Sequence, residues 1–385
     1  MRIAQMIDRV HVSGGAERLQ RTFADAIDPR EVSLTVITLR ESLPESEEEL
    51  RERGVRIARF PATRFADPRR ARALIEFVRA ERFDLLHAHL VRSTVLAGLA
   101  GQITGTPVVA TLHNTDRGTG VGPALRFAEH WILRQAVERV IAVGWETARA
   151  HRHRLGRRRI DVIPNAVCEP PVLSARERAD TRRELGVPED APLLISVGRI
   201  VPQKAISDLV RAFAQLPPGS PAPHWRIVGR GRLETSLARE IQRLGLGARA
   251  QLIGLRSDVP RLLGASDLYL SSSHWEGLPV AMLEAMAAGL PVVATRVGDV
   301  PRVIDPSCGV LVPARDPGAL ANAIAALLAD PARLRRLGAA ARARAREHFG
   351  AEGWARRHLA LYAEVARQRR SPWDVPPAQE ETRCA

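Results

Sequence analysis

The sequence predicts an α/β protein built from two doubly wound domains that face each other across a cleft. Short β-branched segments alternate with helix-length amphipathic segments along the chain, which is typical of repeated βα units around parallel sheets. The chain has 385 residues, too many for one ordinary core and suited to two domains of about 150 to 200 residues each. The alternation stops over residues 168–192, where two proline-containing segments have the composition of a linker.

Seven strands are predicted in the first half of the chain and six in the second. Those of the first half lie at residues 2–8, 32–39, 55–60, 85–89, 108–113, 140–144 and 160–164. Those of the second half lie at residues 193–197, 225–229, 250–254, 268–273, 292–295 and 310–312. Predicted helices between them include residues 15–26, 68–82, 123–136, 206–215, 233–243 and 279–288. Doubly wound sheets bind ligands at the carboxyl ends of their strands, so the cleft is the predicted site.

These elements divide the chain into five segments. We expect an amino-terminal domain over residues 1–167, a linker over 168–192 and a carboxy-terminal domain over 193–350. An amphipathic helix over residues 351–367 can pack on either domain. The polar, proline-containing tail over residues 368–385 is expected to be disordered.

The composition is globular, with 45% hydrophobic and 26% charged residues. No apolar run approaches the roughly 18 residues that span a bilayer, and Asp8 and Arg9 interrupt the segment that a signal peptide would need. Cys168, Cys308 and Cys384 share no disulfide or metal-binding spacing. These features predict a cytoplasmic protein.

The net charge of +14 is spread over both halves of the chain. Residues 1–170 have 27 basic and 21 acidic side chains, and residues 171–385 have 30 and 22. With 8 Phe and 2 Tyr, the chain offers few stacking platforms for nucleic acid, and no such partner is predicted. Two arginine-rich runs, His151–Arg159 and Arg333–Arg346, are expected to be solvated faces. The first run is the candidate for peripheral contact with an anionic membrane, at its inner face.

The strongest functional motif lies where a serine-rich strand end leads into a helix. Pro279 is predicted in the first turn of this helix, where a missing amide proton costs no hydrogen bond. The free amides of Gly277 and Leu278 can hold hydroxyl or phosphate oxygens. Glu276 precedes the helix and Glu284 lies inside it, eight residues later and among apolar neighbours. Because a carboxylate accepts hydrogen bonds from two adjacent hydroxyls, the pair predicts a site for a ribose or hexose diol.

Two cations form a second motif. Of the 57 basic residues 56 are arginine, and Lys204 is the only lysine, so this position is a candidate for needing a compact ammonium. Arg199 directly follows a buried strand, and Lys204 comes five residues later at the start of the next helix. Two cations there can bind a diphosphate and stabilise charge that grows on a leaving group. The alternative is an ordinary cationic loop.

A glycine pair follows the first strand, in the segment Val12–Glu17. Gly14 and Gly15 allow the backbone to approach a ligand closely at a helix amino terminus, although a simple tight turn would also use glycine. The segment is not G-x-G-x-x-G, and no acidic residue follows at the dinucleotide spacing. NAD is therefore not predicted.

Three histidines end predicted strands. His87 and His89 end one strand and His113 ends another, and all three are predicted to point toward the cleft. Together with the glutamates, His113 is the candidate for positioning a sugar or handling a proton. The sequence has no H-E-x-x-H or EF-hand pattern and no carboxylate pair at metal spacing. We therefore expect no catalytic metal and no other cofactor.

Taken together, these motifs resemble those of glycosyltransferase family 4, retaining transferases of the GT-B fold, which has two Rossmann-like domains. The resemblance covers residues 1 to about 367. Its motifs are the GGAE loop, the HAH and LHN strand ends, VIPN, VGR followed by QK, and E-x7-E.

The resemblance implies a role for each matching residue. Glu284 is expected to hold the ribose of a nucleotide sugar, and Glu276 with the amides after it to hold the donor sugar. Arg199 and Lys204 are expected to bind the diphosphate, and His113 to reach the donor sugar. The first domain is then the acceptor side, and the carboxy-terminal helix is expected to cross back onto it.

Four residues depart from the family pattern. Ala205 stands where a glycine commonly follows QK, and Arg230 replaces a frequent acidic residue in a GxG turn. Asp299 and Arg302 stand where a second glycine and a glutamate are usual. None of the four removes a phosphate or ribose contact, so the expected activity class is unchanged.

The sequence therefore predicts a retaining hexosyl transfer from a nucleoside diphosphate sugar to an acceptor hydroxyl on a glycan, lipid carrier or small metabolite. No carboxylate nucleophile stands out on the first-domain strand ends, so the leaving phosphate is expected to take the acceptor proton. One alternative is a GT-B-type epimerase or hydrolase that acts on the nucleotide sugar itself. Another, from a different class, is an arginine-rich, non-catalytic binder of nucleic acid or membrane, which would be indifferent to Glu276 and Glu284.

Overall fold

Two parallel β-sheets, one in each half of the chain, form the framework of the protein. The computed structural model describes residues 1–10, 14–115, 121–217 and 222–369. Within these residues, all the strand pairings in both sheets are parallel. The predicted α/β fold with two doubly wound, Rossmann-like domains is thereby confirmed.

The first sheet has seven strands. They are β1 (Arg2–Ile7), β2 (Ser33–Thr38), β3 (Arg56–Arg59), β4 (Leu85–His89), β5 (Val108–Leu112), β6 (Arg139–Ala142) and β7 (Ile160–Val162). Their order is β3-β2-β1-β4-β5-β6-β7. The strands β4 and β5 are buried along their whole length although they contain His87, His89 and Thr111, as is typical of strands covered on both faces of a parallel sheet. The order reverses between β1 and β4, and such a reversal opens a crevice at the carboxyl ends of the strands.

In the part of this domain that the structure describes, six helices connect these strands. They are α1 (Gly15–Ala26), α2 (Pro44–Arg51), α3 (Pro68–Glu81), α4 (Val91–Thr104), α5 (Pro123–Gln135) and α6 (Trp145–Leu155). The start of α3 shows how an Asp-Pro pair begins a helix. The Asp67 side chain accepts hydrogen bonds from the amides of Arg69 and Arg70, and Pro68 occupies the first turn.

The predicted linker contains a helix, α7 (Ala175–Glu184). Ser174 and Glu177 cap it reciprocally. Arg178 and Arg182 pair with Asp267 at 2.5 and 3.1 Å and hold the helix against the second half of the chain. Its sequence, ARERADTRRE, has no apolar stripe, so hydrophobic periodicity could not reveal it.

The second sheet has six strands. They are β8 (Leu193–Val197), β9 (His224–Val228), β10 (Ala250–Gly254), β11 (Leu268–Ser271), β12 (Val292–Thr295) and β13 (Gly309–Val312). Their order is β10-β9-β8-β11-β12-β13. The accompanying helices are α8 (Ile206–Ala214), α9 (Glu234–Arg243), α10 (Val259–Ala265), α11 (Val280–Ala287), α12 (Val300–Val303), α13 (Pro317–Leu328), α14 (Pro331–Phe349) and α15 (Ala351–Arg369).

The helix α15 leaves the second sheet and packs on the first domain. The rings of Trp354 and Tyr362 lie 5.8 and 6.1 Å from the ring of Phe23 on α1. The Tyr362 hydroxyl also lies 2.5 Å from Nδ1 of His87 on β4, and burial raises the pKa of this tyrosine. These contacts make the helix part of the first domain's core.

The end of the described chain differs slightly from the predicted tail. Residues 368 and 369, expected to begin that tail, are the last turn of α15, and residues 370–385 lie outside the described part of the chain. None of the helices described here combines the length and the hydropathy that crossing a membrane requires.

Three buried histidines, His87, His89 and His358, meet the half-buried His113 where α15 covers the first sheet. Burial lowers the pKa of all four, to about 4 for His113 and His358. Unfolded histidines have a pKa near 6.5, so below that pH the unfolded chain binds more protons than the folded one. The free energy of unfolding is therefore expected to fall as the pH decreases from about 6.5 to about 4.

Replacing His358 with glutamine is expected to make this acid destabilisation shallower by about 1.4 kcal/mol per pH unit. The measurement is urea unfolding at several pH values between 7 and 5. His153 is exposed on α6, so His153→Gln is the matched control and should keep the wild-type slope. Equal slopes for the wild type and His358→Gln would show that His358 is not held neutral in the folded protein.

Candidate active site

A cleft of about 340 Å³ lies between the carboxyl ends of the two sheets. Its volume is within the range of pockets that hold small organic ligands. Both domains line it, and it brings together the ten residues for which the sequence predicted a site role. They are His113, Glu276, Arg199, Lys204, Gly14, Gly15, Gly277, Leu278, Pro279 and Glu284. Val12 and Ser13, from the same glycine segment, lie outside the described residues.

The turn between β11 and α11 brings the second domain against the first. Pro279 is the residue before α11, with φ −73°. A Cβ added to Gly277 would lie 3.0 Å from Oγ1 of Thr147 and 3.2 Å from the backbone oxygen of His113. The side chain of Asn165 donates a hydrogen bond of 2.8 Å to the backbone oxygen of Leu278. A side chain at position 277 would crowd these first-domain atoms, so glycine suits the close approach of the turn.

Glu276 is buried at the floor of the cleft and is held by three donors. Its carboxylate forms an ion pair with the Lys204 ammonium and accepts a 2.6 Å hydrogen bond from the Ser273 hydroxyl. The Gln203 side chain lies 3.4 Å from the second carboxylate oxygen. These contacts fix the carboxylate and the ammonium side by side, so a ligand bound here would meet both charges.

Arg199 lies at the opening of the cleft and contacts Gln203 of the same hydrogen-bond network. Its guanidinium donates to the Gln203 side-chain oxygen over 3.4 Å and is exposed. Glu17 of the first domain is close enough for the charge of Arg199 to act on it, while burial raises the pKa of Glu17. Arg199 therefore stands at the opening with an exposed guanidinium that a diphosphate can reach.

The loop that carries the two cations has an unusual backbone at Ala205. This residue has φ 46° and ψ 39°, the left-handed conformation that glycine adopts without strain. Ser272 donates a 2.8 Å hydrogen bond to the Ala205 backbone oxygen and helps to hold the turn. Alanine therefore adopts here a conformation that glycine favours, at a cost of about 1 kcal/mol.

Glu284 makes an ion pair across the cleft. Its carboxylate accepts two hydrogen bonds from Arg18, which lies on α1 of the first domain. Both side chains are largely buried. Arg18 directly follows the GGAE motif but was not among the predicted site residues. Both bonds come from one guanidinium nitrogen, and the two carboxylate oxygens of Glu284 are the acceptors that the hydroxyls of a ribose diol would need.

The three predicted histidines are not equivalent. His113 lines the cleft, but His87 and His89 do not, so the prediction that all three point toward the cleft was wrong for those two. His87 contacts Thr111 at 2.7 Å and Tyr362 of α15, because its face of β4 is covered by that helix. Nδ1 of His89 lies 3.0 Å from Nε2 of His113 and fixes its orientation. The lowered pKa of His113 makes it a neutral hydrogen-bonding group at neutral pH.

Asp299 and Arg302, two of the residues that depart from the family pattern, connect the two domains. The fully buried Asp299 carboxylate accepts hydrogen bonds of 3.0 and 3.2 Å from the Glu146 amide, in the first turn of α6. The Arg302 guanidinium lies 4.9 Å from the centre of the Trp145 ring. Burial raises the pKa of Asp299, while the helix amide favours its charged form. A residue of the second domain thus caps a helix of the first.

Replacing Asp299 with alanine is expected to lower the free energy of unfolding by about 1–2 kcal/mol, because the capping contact is lost and a buried amide stays unpaired. Asp299→Asn keeps an acceptor oxygen and should lose less. The measurement is urea unfolding of both variants at pH 7. An Asp299→Ala protein as stable as the wild type would show that the domains do not depend on this contact.

Several cleft residues were not predicted. Arg9, Arg230 and Arg256 add three cations to its lining, and Asn165 comes from the VIPN motif. Arg230 was noted only as a departure in the GxG turn, and nothing in the local sequence distinguishes Arg9 and Arg256 from the other arginines of the chain. In the described residues, no group of three or more histidine, cysteine, aspartate or glutamate side chains could hold a metal ion. The expectation that the reaction uses no metal stays a prediction.

Two family descriptions match the chain, one for each domain. Residues 13–168 match Glycosyltransferase Family 4, and residues 177–344 match Glycosyl transferases group 1. The structure is similar to that of HepE from Anabaena, solved in complex with UDP and glucose, with a TM-score of 0.85 and 22% identity over 95% of this chain and all of the other. It also resembles sucrose-phosphate synthase from Thermosynechococcus elongatus, with a TM-score of 0.77 and 24% identity over 96% of this chain and all of the other.

Curated relatives extend the same similarity. The N-acetyl-alpha-D-glucosaminyl L-malate synthase of Bacillus anthracis is 30% identical over 77% of this chain and 79% of its own length. A D-inositol 3-phosphate glycosyltransferase of Xylanimonas cellulosilytica is 32% identical over 74% of this chain and 73% of its own length. The chain therefore belongs to glycosyltransferase family 4 and is a glycosyltransferase with the GT-B fold.

Proposed function

We propose that the protein transfers a hexosyl group from a nucleoside diphosphate sugar to an acceptor hydroxyl, with the anomeric configuration retained. The observation that carries the proposal is the composition of the cleft. Arg199 and Lys204 stand together on one wall, and Glu284 lines the same cavity. Cations suit the diphosphate and a carboxylate suits the ribose diol. The first domain contributes His113 to the lining of the same cleft.

The comparisons support a nucleotide sugar as the donor. HepE was solved with UDP-glucose, and a mannosyltransferase of Corynebacterium glutamicum, 26% identical over 86% of this chain and 89% of its own length, is described as GDP-mannose-dependent. These proteins use different bases and sugars, so the proposal is for the class of donor. The acceptor proposed is a hydroxyl of a glycan, a lipid carrier or a small metabolite.

The proposed reaction occurs on one face of the sugar. The bond between the anomeric carbon and the diphosphate oxygen breaks, the acceptor oxygen bonds to that carbon on the same side, and the acceptor proton passes to the leaving phosphate. Arg199 and Lys204 stabilise the charge that develops on the diphosphate. Neutral His113 and the buried Glu276 orient the sugar, and the approach of the two domains excludes water.

The position of Glu17 supports this route over a covalent intermediate. Glu17 is the single carboxylate that the first domain places in the described lining of the cleft. Its side chain folds back onto the start of α1, where it lies over Gly14 and bonds its own backbone amide. A nucleophile would instead have to face the anomeric carbon.

Since two cations carry the charge of the leaving group, we propose that turnover needs no metal. The turnover rate should therefore be unchanged when a metal chelator is added.

A thermal-shift panel of nucleoside diphosphates and their sugars tests the proposal. One base should stabilise the protein by about 2.7 kcal/mol at roughly 100 times its dissociation constant. Incubation of the selected sugar donor with candidate acceptors, followed by NMR, then reports the anomer of the product. Release of free or epimerised sugar without an acceptor would favour the hydrolase or epimerase alternative. If no nucleoside diphosphate raises the melting temperature of the protein, the proposal is overturned.

We also propose a cytoplasmic location. The thiols of Cys168 and Cys308 are free among the described residues, as suits a reducing compartment. Only part of the run His151–Arg159, the predicted membrane contact, is exposed and able to contact a membrane. His151 and Leu155 are buried, and Arg154 pairs with Glu129 at 2.6 Å.

A further inference from the structure

The outer face of α5 carries two exposed aromatic side chains that the proposed reaction does not use. Phe127 is 72% exposed and Trp131 is 48% exposed. They are four residues apart, so they lie one above the other on the same side of the helix. Only 4% of the residues in the chain are aromatic. Two exposed aromatic side chains on one helix face therefore indicate an interaction surface.

Apolar exposure continues on the neighbouring helix. Leu99 and Ile103 of α4 are 38% and 49% exposed and are likewise four residues apart. The two helices pack closely, because a Cβ added to Gly98 would lie 2.3 Å from the Ile132 side chain. Large apolar side chains thus project from two adjacent helices of the first domain. We call Leu99, Ile103, Phe127 and Trp131 the apolar face.

Exposed arginines lie on α5 itself and on the next helix, α6. Residues 123–159 contain nine arginines and three glutamates, so their excess of +6 equals the whole excess of residues 1–170. Arg134 is exposed on the same side of α5 as Phe127 and Trp131, seven residues after Phe127. Arg152 on α6 and Arg157 after it are also exposed. Apolar and aromatic side chains bordered by arginines match the interface of an anionic bilayer.

We infer that the apolar face and its arginines dock the protein on an anionic lipid bilayer. The aromatic rings enter the interface between headgroups and acyl chains, and the arginines contact the lipid phosphates. Phe127 lies four residues after the start of α5, and α5 begins on the side of the sheet where the strands end at the cleft. The docked protein therefore holds the first domain's side of the cleft near the membrane. The inference goes beyond the proposed function and needs no turnover.

The test is co-sedimentation of the full chain with phosphatidylcholine vesicles that contain about 30% phosphatidylglycerol, with pure phosphatidylcholine vesicles for comparison. The wild type should bind the anionic vesicles and lose binding at high salt. Phe127→Ser combined with Trp131→Ser should weaken partitioning at least about tenfold. Arg134→Gln, Arg152→Gln and Arg157→Gln together should weaken it about a hundredfold, because each arginine contributes about fivefold at an anionic surface.

Matched controls separate docking from general exposure and charge. Val172 is 72% exposed and Leu43 is 36% exposed elsewhere on the protein, so Leu43→Ser with Val172→Ser should bind like the wild type. Arg333→Gln, Arg335→Gln and Arg336→Gln remove three exposed charges from α14 and should also have no effect. Circular dichroism melts establish that each variant is folded.

Three results would overturn the inference. The wild type could fail to bind anionic vesicles, or the control variants could lose as much binding as the variants of the apolar face. Sedimentation velocity could instead show a wild-type dimer that Phe127→Ser and Trp131→Ser dissociate, which would assign the apolar face to a second copy of the chain. All three are measured without a sugar donor, so they leave the proposed transfer reaction standing.

Discussion

Replacing Lys204 with alanine is expected to lower kcat by at least about a hundredfold, equivalent to about 3 kcal/mol. The ammonium lies in the cleft beside Arg199 and is ion-paired with the buried Glu276 carboxylate. Its loss removes charge stabilisation from the departing diphosphate and leaves Glu276 without its cation. Steady-state kinetics with the donor selected by thermal shift give the measurement.

Two variants sharpen this result. Arg211 is a half-exposed cation on the following helix, α8, where it pairs with Glu240 at 3.1 Å. Arg211→Ala should therefore leave kcat unchanged. Lys204→Arg restores charge but not the compact ammonium, and recovery should be partial. Near-normal turnover by Lys204→Ala would show that the cation is part of an ordinary loop.

Replacing Glu284 with glutamine is expected to weaken nucleoside diphosphate binding by about ten- to a hundredfold, since hydrogen bonds to charged groups contribute about 1.5–3 kcal/mol. The proposed partner is the ribose diol. Calorimetric titration gives the dissociation constant. A 2′-deoxy nucleoside diphosphate offers one hydroxyl fewer, so the preference of the wild type for the ribose form should shrink in Glu284→Gln.

Arg18 provides the control for Glu284. The substitution of Glu284 also breaks its ion pair with Arg18, and this loss has to be separated from the loss of the ribose contact. In the proposed complex the ribose replaces Arg18 on the carboxylate, so Arg18→Ala should bind nucleoside diphosphate at least as tightly as the wild type. Equal weakening by Arg18→Ala and Glu284→Gln would attribute the effect to the ion pair.

Much of the site could be predicted because parallel sheets place their strand ends together. Arg199 after β8, His113 after β5 and Glu276 after β11 all follow strands that the sequence shows clearly. The carboxyl ends of such strands share one edge of a sheet, and the switch in strand order opens that edge to ligands. The prediction needed only local pattern and this rule.

The remaining features depend on contacts between distant segments. The position of His87 is set by α15, whose Tyr362 is 275 residues from His87 in sequence. The ion pair of Arg18 with Glu284 joins residues 266 apart, and Asp299 caps a helix 153 residues earlier. Each of these contacts joins segments that are far apart in the chain, and a local periodicity cannot reveal such a contact. The helix α7 was not predicted for a different reason. It is held by capping hydrogen bonds and ion pairs, which leave no apolar periodicity in the sequence.

The central claim is that one cleft grips a nucleoside diphosphate with Arg199, Lys204 and Glu284. A crystal structure with the nucleoside diphosphate chosen by the thermal-shift panel tests it most directly. We expect diphosphate oxygens within about 3 Å of both cations, ribose hydroxyls within about 3 Å of Glu284, and Arg18 released from that carboxylate. A nucleotide bound elsewhere, or one that leaves the Arg18–Glu284 pair intact, would contradict the account.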